Sequence, residues 1–169
     1  MHDPLPKDLR HANDRYAETW GEKASLERKP TRRLAVLTCM DARVDPARVL
    51  GLEEGNAHVI RNAGGVASDD ALRSLVISNR LLGTDTAYVI GHTQCGMIKF
   101  TNEELYTQLE GEGVDARWLD FLPFTEIEAS VTLSVRRLRW SPLLPPDYRV
   151  EGFVFDVATG RLEPVDVPE

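Results

Sequence analysis

The sequence predicts an α/β fold, with a mostly parallel central β-sheet flanked by helices. Three observations carry this. The runs Leu34-Ala35-Val36-Leu37, His58-Val59-Ile60 and Ala87-Tyr88-Val89-Ile90 are long enough for buried strands and too short for helices. Each ends in a polar or glycine-rich turn: Thr38-Cys39-Met40-Asp41-Ala42-Arg43, Arg61-Asn62-Ala63-Gly64-Gly65 and Gly91-His92-Thr93-Gln94-Cys95-Gly96. A helix-period stretch separates the second run from the third, and strand–helix–strand order makes a βαβ unit with parallel strands.

At 169 residues, 42% of them apolar, the chain is long enough for a single domain with its own core. No apolar run approaches the length of a membrane span. Met1-His2-Asp3-Pro4 lacks the basic start and apolar stretch of a signal peptide, so a cytoplasmic protein is expected. In a reducing compartment the two cysteines are expected as metal ligands or buried thiols, not a disulfide. The net charge of −7 argues against a nucleic-acid partner, which needs a basic stripe.

Residues 1–30 are polar and proline-punctuated, and are set apart from a single domain spanning 31–169. A helix is expected over 8–26 with Tyr16, Trp20 and Ala24 on one stripe. It has too few large apolar residues to be held firmly by its own domain, so it lies on the surface or packs on a partner subunit. Strand one covers 33–38, buried on both faces. Pro46 opens a short helix over 46–52, with Gly55 beyond its end. Strand two covers 57–61. Ser68 caps the next helix, with Asp69 and Asp70 in its first turn; Leu72, Leu75, Val76, Leu81 and Leu82 follow near helical spacing, and Gly83 stops it. Strand three covers 87–90.

Thr101-Asn102-Glu103-Glu104 is a capping box that opens a helix to about Glu110. Residues 114–124 read as a loop tucked down by Trp118, Phe121 and Phe124. Thr125-Glu126-Ile127-Glu128 reads as a second capping box, with Ile127, Val131, Val135 and Leu138 behind it. Arg136-Arg137-Leu138-Arg139 then marks a solvated helix C-terminus, and the prolines at 142, 145 and 146 end the helix. Residues 149–157 alternate and are aromatic, and 161–167 pair back as a hairpin.

The chemistry is expected at the carboxyl ends of the strands, where open α/β sheets bind ligands. Both cysteines sit there. Cys39, His92 and Cys95 read as the protein ligands of a catalytic zinc, since two thiolates and one imidazole favour that ion and leave a fourth position open. Two thiolates cancel the ion's formal charge, so water there is acidified less than at a three-histidine site. Asp41 has two possible tasks: to orient a hydroxide at the open position, or to bind the metal itself as a fourth ligand in a closed state. Arg43 decides between them by holding the carboxylate. Activity is therefore expected to rise on the alkaline side. Gly64, Gly65 and Gly96 bring backbone N–H groups near the substrate. His58, opening a strand, reads as a packed or exposed histidine, and Arg61 as an anion site or a partner for a nearby carboxylate.

At these residues the sequence resembles the β-class carbonic anhydrases. Cys39-x-Asp41-x-Arg43 and His92-x-x-Cys95 look like that family's zinc and dyad motifs, and Arg61-Asn62-Ala63-Gly64 looks like its turn after the second strand. The likeness extends over most of 31–160 and is greatest to short members with Cys-Met-Asp-Ala-Arg. It implies a zinc lyase interconverting CO2 and bicarbonate, with one further antiparallel strand in the sheet. It also implies a homodimer, or a tetramer built from dimers, whose N-terminal helices wrap the partner. Ala42 stands where the common pattern has Ser, and Lys29-Pro30-Thr31 lacks a Gln that many members carry. Val36 and Phe155 stand where bicarbonate-inhibited members have Trp and Tyr, although Val44 and Arg61 fit that pocket. Two alternatives share the motifs: a carbonyl sulfide or carbon disulfide hydrolase, and a non-catalytic zinc- or anion-binding protein.

Overall fold

The computed structural model describes residues 4–168; Met1, His2 and Asp3, read above for a signal sequence, lie outside them. Strands β1 (Leu34–Cys39), β2 (Ala57–Asn62), β3 (Thr86–His92) and β4 (Arg149–Phe155) are parallel, and β5 (Leu162–Val165) returns antiparallel to β4. The order β2-β1-β3-β4-β5 places β1 and β3 side by side. The strands outrun the apolar runs that announce them. β1 takes in Cys39 and β3 takes in His92, so both residues end neighbouring strands.

Helices α3 (Asp69–Arg80) and α5 (Ile127–Arg139) cover one face. Leu37, Val89 and Val150 meet Leu75, Val131, Val135 and Leu138 there, all buried. Burying each such side chain stabilises the fold by about 1.5–3 kcal/mol. Val131 seats α5 unusually close to the sheet. A Cβ on Gly91 would stand 2.8 Å from its Cγ2, and a Cβ on Gly152 2.8 Å from its Cγ1. The other face carries Leu34, Val36, Ile90 and Phe155 under Val44 and the short α2 (Pro46–Leu50). Beside α2 an open groove of ≈ 410 Å³ remains, lined in part by Leu34, Leu50, Leu52 and Tyr88.

Several ends fall elsewhere than expected. α2 stops at Gly51, which takes the left-handed conformation, φ 61°, before the chain reaches Gly55. α3 is capped by Ser68 as expected but stops at Arg80, leaving Leu81 71% exposed. α4 (Asn102–Gly111) has its capping box. The box at Thr125 does not form: Glu126 is the N-cap of α5, and no side chain caps the helix. The Phe124 N–H points to the Met97 carbonyl, and that tie sets the path by which the chain enters α5. Trp118 does not tuck its loop down; it is 81% exposed. Polar ties hold the loop instead: Asn102 Nδ2 donates to Asp120 Oδ1 (2.7 Å), the Phe121 N–H to Asn102 Oδ1, and Tyr106 OH to the Leu119 carbonyl.

The basic end of α5 is not simply solvated. Arg139 donates to the carbonyls of Val150 and Val167, and Arg137 pairs with Asp69. The N-terminal helix is shorter than expected. α1 (Lys7–Glu18) gives way to a 3-10 turn at Gly21–Ser25, and α1 buries no residue. The segment touches its own chain through Glu54, which accepts from Tyr16 OH and Lys23 Nζ at 3.0 Å each. His58 is a packed histidine, its Nδ1 2.7 Å from Ser78 Oγ and its Nε2 3.2 Å from the Arg28 carbonyl.

Candidate active site

Adjacent strand ends bring Cys39 and His92 together, and a tight turn returns the chain to the same point at Cys95. Between His92 and Cys95 the turn needs a left-handed residue, and Gln94 supplies it at φ 57°. The three potential ligand atoms lie within 4.8 Å of one another, and all three residues are buried. His92 Nδ1 is 2.9 Å from the Thr93 carbonyl, so Nδ1 carries the hydrogen and Nε2 presents its lone pair. That Nε2 is buried without a hydrogen-bond partner. A buried, unpartnered nitrogen beside two thiols is costly unless a cation completes the site. The donors present fit zinc, with one position left open.

The thiols differ. Burial pushes the Cys39 thiol up, but the adjacent His92 imidazole and the backbone N–H groups of Asp41 and Gly64 outweigh it, lowering its pKa to about 7. Cys95 is raised, by burial first and then by the negative charge of Cys39. The fold thus favours ionisation of Cys39 and opposes that of Cys95.

Asp41 stands at the rim. Its Oδ1 accepts from the backbone N–H and Nε of Arg43 at 2.9 and 3.0 Å, and its Oδ2 accepts from Arg43 NH2 at 2.9 Å. These bonds hold its carboxyl well below the usual carboxylate range. Oδ2 is 3.8 Å from His92 Nε2, so the carboxylate borders the metal position while Arg43 occupies both its oxygens. The adjoining NH1–NH2 edge of the guanidinium faces Gln94, with NH1 3.4 Å from Oε1 and NH2 3.3 Å from the backbone carbonyl.

Among the described residues Arg61 makes no salt bridge to a carboxylate. Its Nε donates to the Cys39 carbonyl (3.0 Å) and its NH2 to the Asp41 carbonyl (2.7 Å), pinning the loop that carries both residues. Two carbonyls of the folded loop take the guanidinium. Gly64 and Gly65 are buried in left-handed conformations, φ 83° and 67°. A Cβ on Gly65 would stand 2.8 Å from the Cys39 nitrogen, and one on Gly64 2.8 Å from Phe124 Cε1. Gly96 is exposed beside Cys95. Met97, Phe100 and Phe124 pack with the cysteines as an apolar wall. Sequence reasoning missed Gln94 and this wall. For Gln94 a signal exists: a three-residue return to one point with no glycine between the ligands forces some other residue left-handed.

Fold and site together define an α/β metalloenzyme with a Cys–His–Cys centre, one open coordination position and a clamped carboxylate beside it. A family model described as carbonic anhydrase matches residues 34–123. β-Carbonic anhydrase 1 of Mycobacterium tuberculosis is 43% identical over 146 residues, 86% of this chain and 89% of that protein. A carbonic anhydrase structure from Streptococcus mutans is 46% identical with a TM-score of 0.91, covering 98% of this chain and all of that one. A carbon disulfide hydrolase from Acidianus is 34% identical, over 78% of this chain and 76% of that protein. The chain belongs to the β-carbonic anhydrase family, and with that membership go zinc and the reversible hydration of CO2, a lyase reaction.

Proposed function

We propose that Cys39, His92 and Cys95 hold one zinc ion per chain at which CO2 is hydrated to bicarbonate, with Asp41 and Arg43 as the catalytic pair. The observation that carries this is the unpartnered His92 Nε2 facing two buried thiols, with a clamped carboxylate 3.8 Å away. Zinc held there supplies a Lewis acid that brings the ionisation of water toward neutral pH. Asp41 accepts a hydrogen bond from the attacking oxygen and aims its lone pair at the carbon of CO2. Arg43 keeps that carboxylate ionised and in place. The bond from His92 Nδ1–H to the Thr93 carbonyl keeps Nε2 free for the metal. Met97, Phe100 and Phe124 give CO2, itself apolar, a water-poor wall. Gly64 and Gly65 support Cys39, and the exposed Gly96 N–H faces the substrate oxygens. The released proton passes to buffer.

Stopped-flow CO2 hydration on zinc-loaded protein tests this. Strong acceleration is expected. Full zinc occupancy without acceleration, together with turnover of carbon disulfide, would replace the reading with the hydrolase one.

The same proposal includes a cytoplasmic homodimer or a multiple of it. Reduced thiols suit a reducing compartment. An α1 with nothing buried, the exposed side chains of Leu9, Tyr16 and Trp20, and the open groove beside α2 support association through the 1–30 arm. Light scattering should find a dimer or larger, and deleting residues 1–26 should weaken it. A stable monomer at micromolar concentration would refute this.

A further inference from the structure

Resting on the carbonic anhydrase reading, we propose that Gln94 is a positioning residue. It holds the Arg43 guanidinium along the NH1–NH2 edge, next to the Nε–NH2 edge that Asp41 takes, and thereby fixes where the Asp41 carboxylate stands beside the metal position.

Asp41 and Arg43 lie two residues apart on one loop. Their mutual bonds keep them paired, but a pair within one loop can swing as a unit. What matters chemically is the carboxylate's place relative to His92 and Cys95, on the neighbouring strand end. Among the described residues, Gln94 is the one outside the Asp41 loop that bonds the guanidinium, through Oε1 to NH1 at 3.4 Å and through its carbonyl to NH2 at 3.3 Å. Because it lies between His92 and Cys95, it ties the pair to the segment that carries two of the ligands.

A second observation is the backbone. Gln94 sits at φ 57°, a conformation that glycine takes without strain and glutamine disfavours. Such strain persists where the surroundings over-determine it. Here the left-handed turn does two jobs at once, returning the chain so that Cys95 reaches the ligand cluster and turning the Gln94 carbonyl toward Arg43. A glycine would do both, but would leave Arg43 NH1 without its acceptor. The contacts are long, and the Arg43 side chain is 47% exposed, so the effect is several-fold and not a hundredfold.

The test uses the full-length, zinc-loaded protein with Gln94→Gly, which keeps the turn relaxed and removes the amide, and Gln94→Glu, which restores an acceptor. In Gln94→Gly, zinc content is expected unchanged and kcat about threefold to tenfold lower with KM unchanged. The Arg43 η hydrogens, which Gln94 accepts through NH1 and NH2, should exchange with solvent about tenfold faster, read by low-temperature NMR of nitrogen-labelled protein. In Gln94→Glu the slow exchange should return. Unchanged Arg43 exchange in Gln94→Gly would overturn the proposal. So would loss of zinc in that variant, which would make Gln94 a part of the ligand turn alone. The exchange measurement does not depend on CO2 turnover, so a wild type inactive toward CO2 would sink the carbonic anhydrase reading and leave this test standing.

Discussion

At the carboxyl ends of β1 and β3 a buried imidazole nitrogen has no partner, whereas just outside the amino ends of the same strands the charges answer one another. There Asp85 pairs with Arg33 at 2.8 Å and with Arg149 at 3.6 Å, and Arg149 also donates to Thr86 Oγ1. These groups are largely exposed, so their pairing contributes little, about 0–1 kcal/mol. The difference teaches where the chain has kept an electrostatic debt. A buried polar atom without a partner costs about 1–3 kcal/mol, and His92 Nε2 is one of two such side-chain atoms among the described residues, the other being Arg136 Nε. At the amino end, solvent and side chains complete each charge. At the carboxyl end the neighbours of the imidazole are two buried thiols, a donor set that suits a metal.

Breaking the carboxyl end should have the largest effect. Cys95→Ser is expected to take zinc from about one per chain to a small fraction, and CO2 hydration with it. Metal analysis that finds full occupancy in this variant would show the ligand assignment to be wrong. Next comes Asp41→Asn, which leaves the zinc ligands intact. Its kcat is expected to fall about a hundredfold at every pH, because the attacking oxygen loses its orientation. Near-normal turnover would remove Asp41 from the catalytic pair.

pH sharpens the comparison further. The folded pKa of Cys39 is lowered to about 7, so its thiolate is present above that pH and is lost as pH falls through it. Cys95 is raised and gives up its proton to the metal. Zinc uptake should therefore release about one proton above about pH 7, from Cys95, rising toward two as Cys39 is protonated below it, and should weaken steeply there, as competition titrations with a chelator would read. Asp41 is ionised throughout this range, since Arg43 holds it low. A rise in hydration activity from about pH 6 to about pH 9 then reflects the contest between hydroxide and Asp41 for the open position, not titration of Asp41. A flat profile over that range would end the switch and leave the site. The smallest effect belongs to the amino end: Asp85→Asn should cost under about 1 kcal/mol in denaturant unfolding and leave kcat unchanged.

The strands, their parallel order and the cluster of Cys39, His92 and Cys95 were legible because each rests on local pattern: a short apolar run followed by ligand-type residues. Ser68 and Thr101 were legible for the same reason, since a cap is decided within four residues. The failures lie where a distant partner decides. Thr125 has the right neighbours for a capping box, but the path of the chain past Met97 starts the helix at Ile127 with Glu126 as its cap. Trp118 is apolar in a loop, yet Asn102 and Tyr106 hold that loop and leave the ring in solvent. Arg61 finds two carbonyls that only the folded loop presents. Gln94 is half hidden: the short glycine-free return between His92 and Cys95 points to its backbone angle, but its side-chain partner does not show in residue type.

The seat of α5 on the sheet has a consequence for descent. Val131 lies above both Gly91 and Gly152, with Ile127 beside the first and Val135 beside the second, so these positions share one volume. A lineage cannot enlarge either glycine while the valine stays, because the added carbon would lie inside its methyl groups. Nor can it shrink the valine alone without opening a void under the helix. Change at any of Gly91, Gly152 and Val131 therefore needs compensation at the others.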